Sequence, residues 1–463
     1  MKIDRRIFLR GIAGISGSAL VTSVTGLPAF ASRPEEDNEN EDQGLPSPEL
    51  SGIEHVIVVM MENRSFDHLL GWLPHADGIQ AGLTYNDADG NSHATHALAP
   101  DYTGCGHPDP DHSYNGGRIQ YDGGKMDGFL RSGRNDVYSI GYYVEKDRPF
   151  YSALARNFTV CDRYFCSILG PTFPNRLFMH SAQTDRLSNT LTLATMPTIW
   201  DRLAAAGVSG RYYFSNLPFL GLWGTKYLSI SRPYQQFLLD AASGNLPAVS
   251  FLDPRFTTTD DGTGNDDHPH ADVRTGDAFL AQTFHAVANG PGWPKTLFVV
   301  NYDEWGGFFD HVAPPRATAP NTVDPDLVAG KALLGLRVPT VVASPFTGSE
   351  NGKPRVKRFT FDHTSILKLI EWRWGLPPLT ARDASNDVEN FARVLKLGHP
   401  TNDVPVLPLP IAPPPSPCFQ PEVESNNAAQ VTIAARAISD IESGTEWLQL
   451  QKSGLLDGWP LDQ

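Results

Sequence analysis

Ile53 to Trp72 reads I-E-H-V-I-V-V-M-M-E-N-R-S-F-D-H-L-L-G-W, and its two halves differ in chemistry. Val56 to Met60 is an unbroken apolar run, mostly β-branched, which predicts a short strand covered on both faces in a parallel sheet. Glu62, Asn63, Arg64, Ser65, Asp67 and His68 follow at once, where such a strand hands over to a loop and helix. Open α/β sheets bind ligands in the crevice outside the carboxyl ends of their strands, so Glu62 and Asn63 are candidate metal or substrate ligands. The same residues also read as a plain helix start, with Asn63 or Ser65 capping and Glu62 answering the helix dipole.

Working outward, the pattern recurs. Lys295 to Tyr302 predicts a second buried strand that ends directly in Asp303-Glu304, and Ala278 to Asn289 a helix before it. Gly210–Phe214, Ala248–Leu252 and Val338–Ala343 predict further strands. Phe150–Phe158, Thr198–Ala206 and a segment capped by Asp362-His363-Thr364 and running to Trp374 predict helices. Short β-branched strands alternating with helices give an α/β fold with a largely parallel central sheet flanked by helices. Two long polar stretches interrupt it, Asp77–Asp136 with His107 and His112, and Thr257–Thr275 with His268 and His270. Runs of this length inside a domain carry binding work or lack order, and their histidines and aspartates favour binding.

The ends read differently. Arg5-Arg6 ahead of a weakly apolar run closing in Ala29-Phe30-Ala31 resembles a twin-arginine export signal over residues 1–31, with an ordinary secretory signal as the competing reading. That reading implies use of the twin-arginine export machinery and a periplasmic or extracellular location. Residues 32–50 form an acidic spacer, 51–405 the main folded domain, and 406–463 a proline-rich connector with a helical tail in which Ile438, Ile441 and Leu448 are apolar. Removing residues 1–31 takes away four basic and one acidic residue, so the net charge moves from −15 to −18. An acidic protein of this kind excludes a nucleic-acid partner and leaves at most transient contact with a membrane surface. Cys105, Cys161, Cys166 and Cys418 do not match zinc-site spacing, and their pairing is open between disulfides and buried thiols.

Glu62-Asn63 and Asp303-Glu304 are acidic pairs of one kind at two strand ends. Gathering them is costly unless a cation lies between, and oxygen donors suit calcium, magnesium or manganese. Carboxylates satisfied by backbone donors are the rival explanation. Thr172, in Gly170-Pro171-Thr172-Phe173-Pro174-Asn175-Arg176, stands where a helix N-cap is expected, and an alcohol there becomes a nucleophile if a metal lowers its pKa. Asn175 could add an amide donor to an anion held at the helix start.

Val58 to His68, Gly170 to Arg176, Asn265-Asp266-Asp267-His268-Pro269 and Tyr302 to Val312 resemble, in order, four signature blocks of one phosphoesterase family. That family contains bacterial and plant non-specific phospholipases C and respiratory-burst-inhibiting acid phosphatases. The resemblance implies an alkaline-phosphatase-like fold with long active-site loops and a metal-dependent hydrolysis of a phospholipid or small phosphoester. It implies a metal held by Glu62, Asn63, Thr172, Asp303 and Glu304, with Thr172 forming a phospho-enzyme. His112 and His268 would serve the phosphoryl group or the leaving alkoxide, with Asn175, His270 and His311 as further substrate contacts. Phospholipase C is favoured over acid phosphatase. An exported phosphate- or sugar-binding protein without turnover is a rival class. So is a sulfatase, whose modified-nucleophile motif is missed because threonine replaces the convertible residue in Thr172-Phe173-Pro174-Asn175-Arg176.

Overall fold

The computed structural model describes residues 45–257, 262–349, 353–397, 400–418 and 445–461. The export signal, most of the acidic spacer and tail positions 419–444, including Ile438 and Ile441, lie outside these residues.

An eight-stranded sheet organises the chain. Its strands are β1 (His55–Met61), β2 (Thr159–Cys161), β3 (Gly210–Phe214), β4 (Ser231–Pro233), β5 (Val249–Asp253), β6 (Thr296–Tyr302), β7 (Val341–Ala343) and β8 (Arg355–Lys357), in spatial order β8-β2-β7-β6-β1-β5-β3-β4. β1 pairs in parallel with both β6 and β5, and only β7 runs against its neighbours. The apolar runs that predicted β1 and β6 are buried along almost their whole length, as a strand covered on both faces requires. Three short strands escaped the sequence reading: β2, β4 and β8 are three residues each, too short for any periodicity.

The helices flanking this sheet are α1 (Phe66–Leu70), α2 (Tyr114–Tyr121), α3 (Pro149–Asn157), α4 (Thr172–Ser181), α5 (Ile199–Ala205), α6 (Tyr234–Ser243), α7 (Val273–Ala288) and α8 (His363–Trp374). Ser65 caps α1 by accepting the His68 N–H, Asp272 caps α7 and Asp362 caps α8. α7 starts five residues before the expected Ala278, because Asp272 and not the later apolar periodicity sets its origin. The stretch from Asp77 to Asp136 is not structureless: it holds α2 and a small antiparallel ladder, Thr84–Asn86 with Ser92–Ala94.

Register places the chemistry. Met61 lies opposite Tyr302, so Glu62 and Asp303 leave adjacent parallel strands at one level. Val59 lies opposite Leu252, so Asp253 at the end of β5 joins them from the other side. At the C-terminus, Thr445–Lys452 is helical and is anchored by buried Trp447 and Leu450. Leu448, counted among the apolar contacts from sequence, is only half-buried because it lies on the outer side of this helix. Trp447 stacks on Phe256 with ring centroids 3.8 Å apart. Cys105 and Cys418 form a disulfide that ties the end of the proline-rich strap to the loop leading to His112, while Cys161 and Cys166 are buried thiols.

Candidate active site

The loop between β1 and α1 is built by its own backbone. Asn63 sits in the left-handed region at φ 60°, which asparagine tolerates better than other residues with a Cβ. Its N–H donates to Asp303 Oδ1 at 3.1 Å, and this bond locks the two acidic loops together. Gly306 completes the approach: it has φ +64°, and a Cβ there would sit 1.9 Å from the Asn63 carbonyl oxygen. Ser65 caps α1 as the plain helix-start reading required, yet Glu62 and Asn63 are left for other work.

Thr172 is buried and meets this loop from the far side of the fold, its Oγ1 donating to Asn63 Oδ1 at 3.4 Å. The expectation that Thr172 is the N-cap of its helix is corrected. Pro171 holds that position and Thr172 is the first helical residue, so its hydroxyl makes no capping bond and points at Asn63 instead. One turn along, Arg176 shares the same helix face and is fully buried. Its guanidinium reaches Asp303 Oδ2 at 2.9 Å, Asp253 Oδ1 at 2.8 Å and Glu62 Oε1 at 3.4 Å. It is roofed by the Phe256 ring 4.8 Å away.

These contacts bring Glu62, Asn63, Thr172, Asp303 and Glu304 into one neighbourhood. They also revise the charge argument made from sequence, because a buried arginine supplies part of the positive charge that the strand-end acids need. It does not supply all of it. Three buried carboxylates, Glu62, Asp253 and Asp303, meet one guanidinium, and buried Glu304 follows Asp303 in the chain. Burial, against the pull of His112 and with the help of the Asp303 charge, pushes the Glu304 carboxyl up to about 8. Burial likewise raises Asp303 and Asp253. Glu304 Oε1 is buried without a hydrogen-bond partner among the described residues, while its Oε2 accepts the Gly306 N–H. Hard oxygen donors in excess of positive charge fit a divalent cation. Glu62, Asp303 and Glu304 do not by themselves close to within 4.8 Å as a carboxylate triple among the described residues, and Asn63 Oδ1 and Thr172 Oγ1, 3.4 Å apart, are the further oxygens beside them.

The histidines sort into two groups. His112 and His268 are buried and edge-to-face, with ring centroids 6.0 Å apart, and together with Asp109 bring ligand atoms within 4.8 Å of one another. His112 Nδ1 lies 3.5 Å from Asn63 Nδ2, which links this pair to Thr172. The other expected contacts are placed elsewhere. Asn175 donates to the Ile168, Gly170 and Pro171 carbonyls and accepts the Ile168 N–H, so it staples the loop that presents Thr172 and offers no amide to an anion. His270 Nε2 lies 2.9 Å from the His107 carbonyl oxygen and joins two loops. His311 is bound at Nδ1 by Asp67 at 2.6 Å and at Nε2 by Asp77 at 3.2 Å, inside a separate cluster around Arg337.

Sequence reasoning passed over Arg176, Asp253 and Asp109. Arg176 is four residues after Thr172 in an otherwise largely apolar helix, a spacing that put both on one face. Asp253 ends β5 as Asp303 follows β6, but the strand was expected to stop at Leu252.

Known proteins resemble this chain along most of its length. A family model described as "Phosphoesterase family" matches residues 53–377. Non-specific phospholipase C6 of Arabidopsis thaliana is 33% identical over 372 residues, covering 72% of this chain and 71% of that protein. Phospholipase C A of Mycobacterium tuberculosis is 32% identical over 405 residues, covering 71% and 74%. Among solved structures, a protein of the alkaline phosphatase superfamily from Vibrio parahaemolyticus aligns over 89% of each chain at 10% identity and a TM-score of 0.34.

Proposed function

The chain belongs to the phosphoesterase family and is a phosphoric ester hydrolase, and from that premise we propose that it is a phospholipase C acting through Thr172. The observation that carries the mechanism is the meeting of Thr172 Oγ1 with Asn63 Oδ1 at 3.4 Å, beside the acidic pairs that β1 and β6 deliver in register. Relatives named phospholipase C support the substrate class. Enzyme membership displaces the binding protein without turnover and the sulfatase.

Glu62, Asn63, Thr172, Asp303 and Glu304 would hold a divalent cation. Such an ion, when bound, lowers the pKa of an alcohol and polarises a phosphoryl oxygen. Thr172 Oγ, its proton given up to solvent, attacks phosphorus and forms a phosphothreonine as the bond to the glycerol oxygen breaks. His268 gives a proton to that oxygen, so diacylglycerol leaves as a neutral alcohol. Water, losing a proton back to His268, then displaces Thr172 and releases the phosphorylated head group. Arg176 keeps the carboxylates in place and balances part of their charge.

Export from the cytoplasm belongs to the same reading. The Cys105–Cys418 disulfide suits an oxidising compartment, and Arg5-Arg6 has the twin-arginine pattern. No helix of the described residues is long and apolar enough to cross a membrane.

Release of diacylglycerol from phosphatidylcholine, measured beside hydrolysis of para-nitrophenyl phosphate, tests the proposal. Turnover of the lipid is expected. Hydrolysis of the monoester alone would replace phospholipase C with acid phosphatase, the other activity that this constellation serves.

A further inference from the structure

We propose that His363 is a positioning residue for the acidic pair Asp303-Glu304: it ties the loop that carries this pair to the loop that presents Thr172. The inference rests on the reading of Asp303 and Glu304 as ligands of a divalent cation.

Each of the pair's four backbone groups has a partner. The Asp303 N–H donates to the Met61 carbonyl at 3.1 Å and the Glu304 carbonyl accepts the Arg64 N–H at 3.0 Å, so two of the four are held by the exit of β1. The Glu304 N–H turns back onto Asp303 Oδ1 at 2.7 Å. Only the Asp303 carbonyl, just past the end of β6, is bonded neither to the β1 exit nor within the pair. A buried carbonyl must find a donor, and this one lies 2.7 Å from Nε2 of His363, a fully buried side chain at the start of α8.

The imidazole is fixed at both nitrogens. A carbonyl can only accept, so Nε2 carries a proton and donates it. Nδ1 faces the Tyr164 hydroxyl at 3.2 Å and the Asn301 amide nitrogen at 3.4 Å, both able to donate to it. The backbone is fixed as well, since Asp362 caps α8 by accepting the Thr364 N–H and the His363 N–H donates to Ser167 Oγ at 3.2 Å. Ser167 precedes Ile168, whose N–H and carbonyl are both bonded by Asn175 in the staple that presents Thr172. One residue thus grips the nucleophile loop with its main chain and the acid loop with its ring. The carboxylates around Arg176 repel one another, so the loop after β6 needs a restraint that is in place before a cation arrives. Donors held ready in this way bind the ion more tightly, because less order has to be imposed on binding.

The test is cation binding, followed by calorimetry on chelator-treated protein. Calcium, magnesium and manganese are each titrated into the parent, and the ion bound most tightly is carried to the variants. His363→Leu is expected to weaken its binding by about 10- to 100-fold. At low ion concentration kcat should fall with it and recover as the ion is raised, with KM for substrate little changed. His363→Gln, whose amide N–H reaches where Nε2 stands, is expected to keep most of the affinity. His363→Asn, whose side chain is one bond shorter, is expected to lose it, and this pair decides the matter if His363→Leu does not fold. Unchanged affinity in folded His363→Leu, or equal affinity in His363→Gln and His363→Asn, would overturn the inference while leaving the cation reading intact. A parent protein that binds no ion and is fully active in chelator would overturn both.

Discussion

Two buried arginines organise the carboxyl side of this sheet, and they are built alike. Arg176 lies over Phe256 at 4.8 Å and Arg337 over Phe66 at 4.6 Å, each among carboxylates supplied by residues far apart in sequence. The difference lies in the charge balance. Arg337 meets Asp67 and Asp310, with His311 as a second cation, and also donates to the Asp77 and Asp162 carbonyls. With Arg163 at 2.6 Å from Asp77, three cations there face the three acids Asp67, Asp77 and Asp310. Arg176 stands alone against Glu62, Asp253 and Asp303, with Glu304 adjoining. A cluster with matched charge is a clasp, whereas a cluster with surplus acid is a place for a cation. Both clusters draw on the same signature blocks, so membership of a block does not separate catalysis from scaffold.

The largest expected difference between the clusters is in turnover. Thr172→Ala removes the nucleophile and should lower kcat by about 10³-fold or more, with thermal stability little changed, whereas Thr172→Ser should keep most activity. Steady-state rates on the same substrate check this, and an active alanine variant would break the assignment of the Arg176 cluster to catalysis.

Arg337→Met sharpens the contrast from the other side. It leaves Asp67 and Asp310 buried without their cation and should cost about 3–5 kcal/mol in urea unfolding. The fraction still folded should turn over substrate within a few-fold of the parent rate. A selective loss of kcat with stability intact would make the clasp part of the active site.

The smallest effect is one of pH. Burial alone would lower the His311 pKa, but the hydrogen bonds it donates to the Asp67 and Asp77 carboxylates outweigh it and raise it from 6.5 to about 9. A raised folded-state value means the imidazolium stabilises the fold fully below the unfolded value and progressively less as pH rises through about 9. Unfolding midpoints should therefore decline over that window, and His311→Gln should flatten the decline. An unchanged slope in the variant would remove His311 from the clasp.

How much of this was legible beforehand follows from the same physics. β1 and β6 were readable because two-sided burial demands a long apolar run, and their acidic exits were readable because nothing apolar follows. β2, β4 and β8 were not, since they are stabilised by neighbours in the sheet that local sequence does not reveal. In the candidate site, Glu62, Asn63 and Thr172 were proposed by type and position, and the fold brings them together. His311 and Asn175 share the type but are spent on Asp67 and on backbone carbonyls, which only the fold decides. Arg176 was missed because the charge argument counted acids and looked for a metal before looking for a buried guanidinium.

The central claim is that the surplus acid around Arg176 binds one divalent cation on Thr172. Titration of calcium, magnesium or manganese into chelator-treated protein, followed by calorimetry, tests it most directly. The account predicts one equivalent bound, activity restored in step with binding, and both lost in Glu62→Gln/Glu304→Gln. Full activity in chelator, or unchanged binding by that double variant, would contradict it.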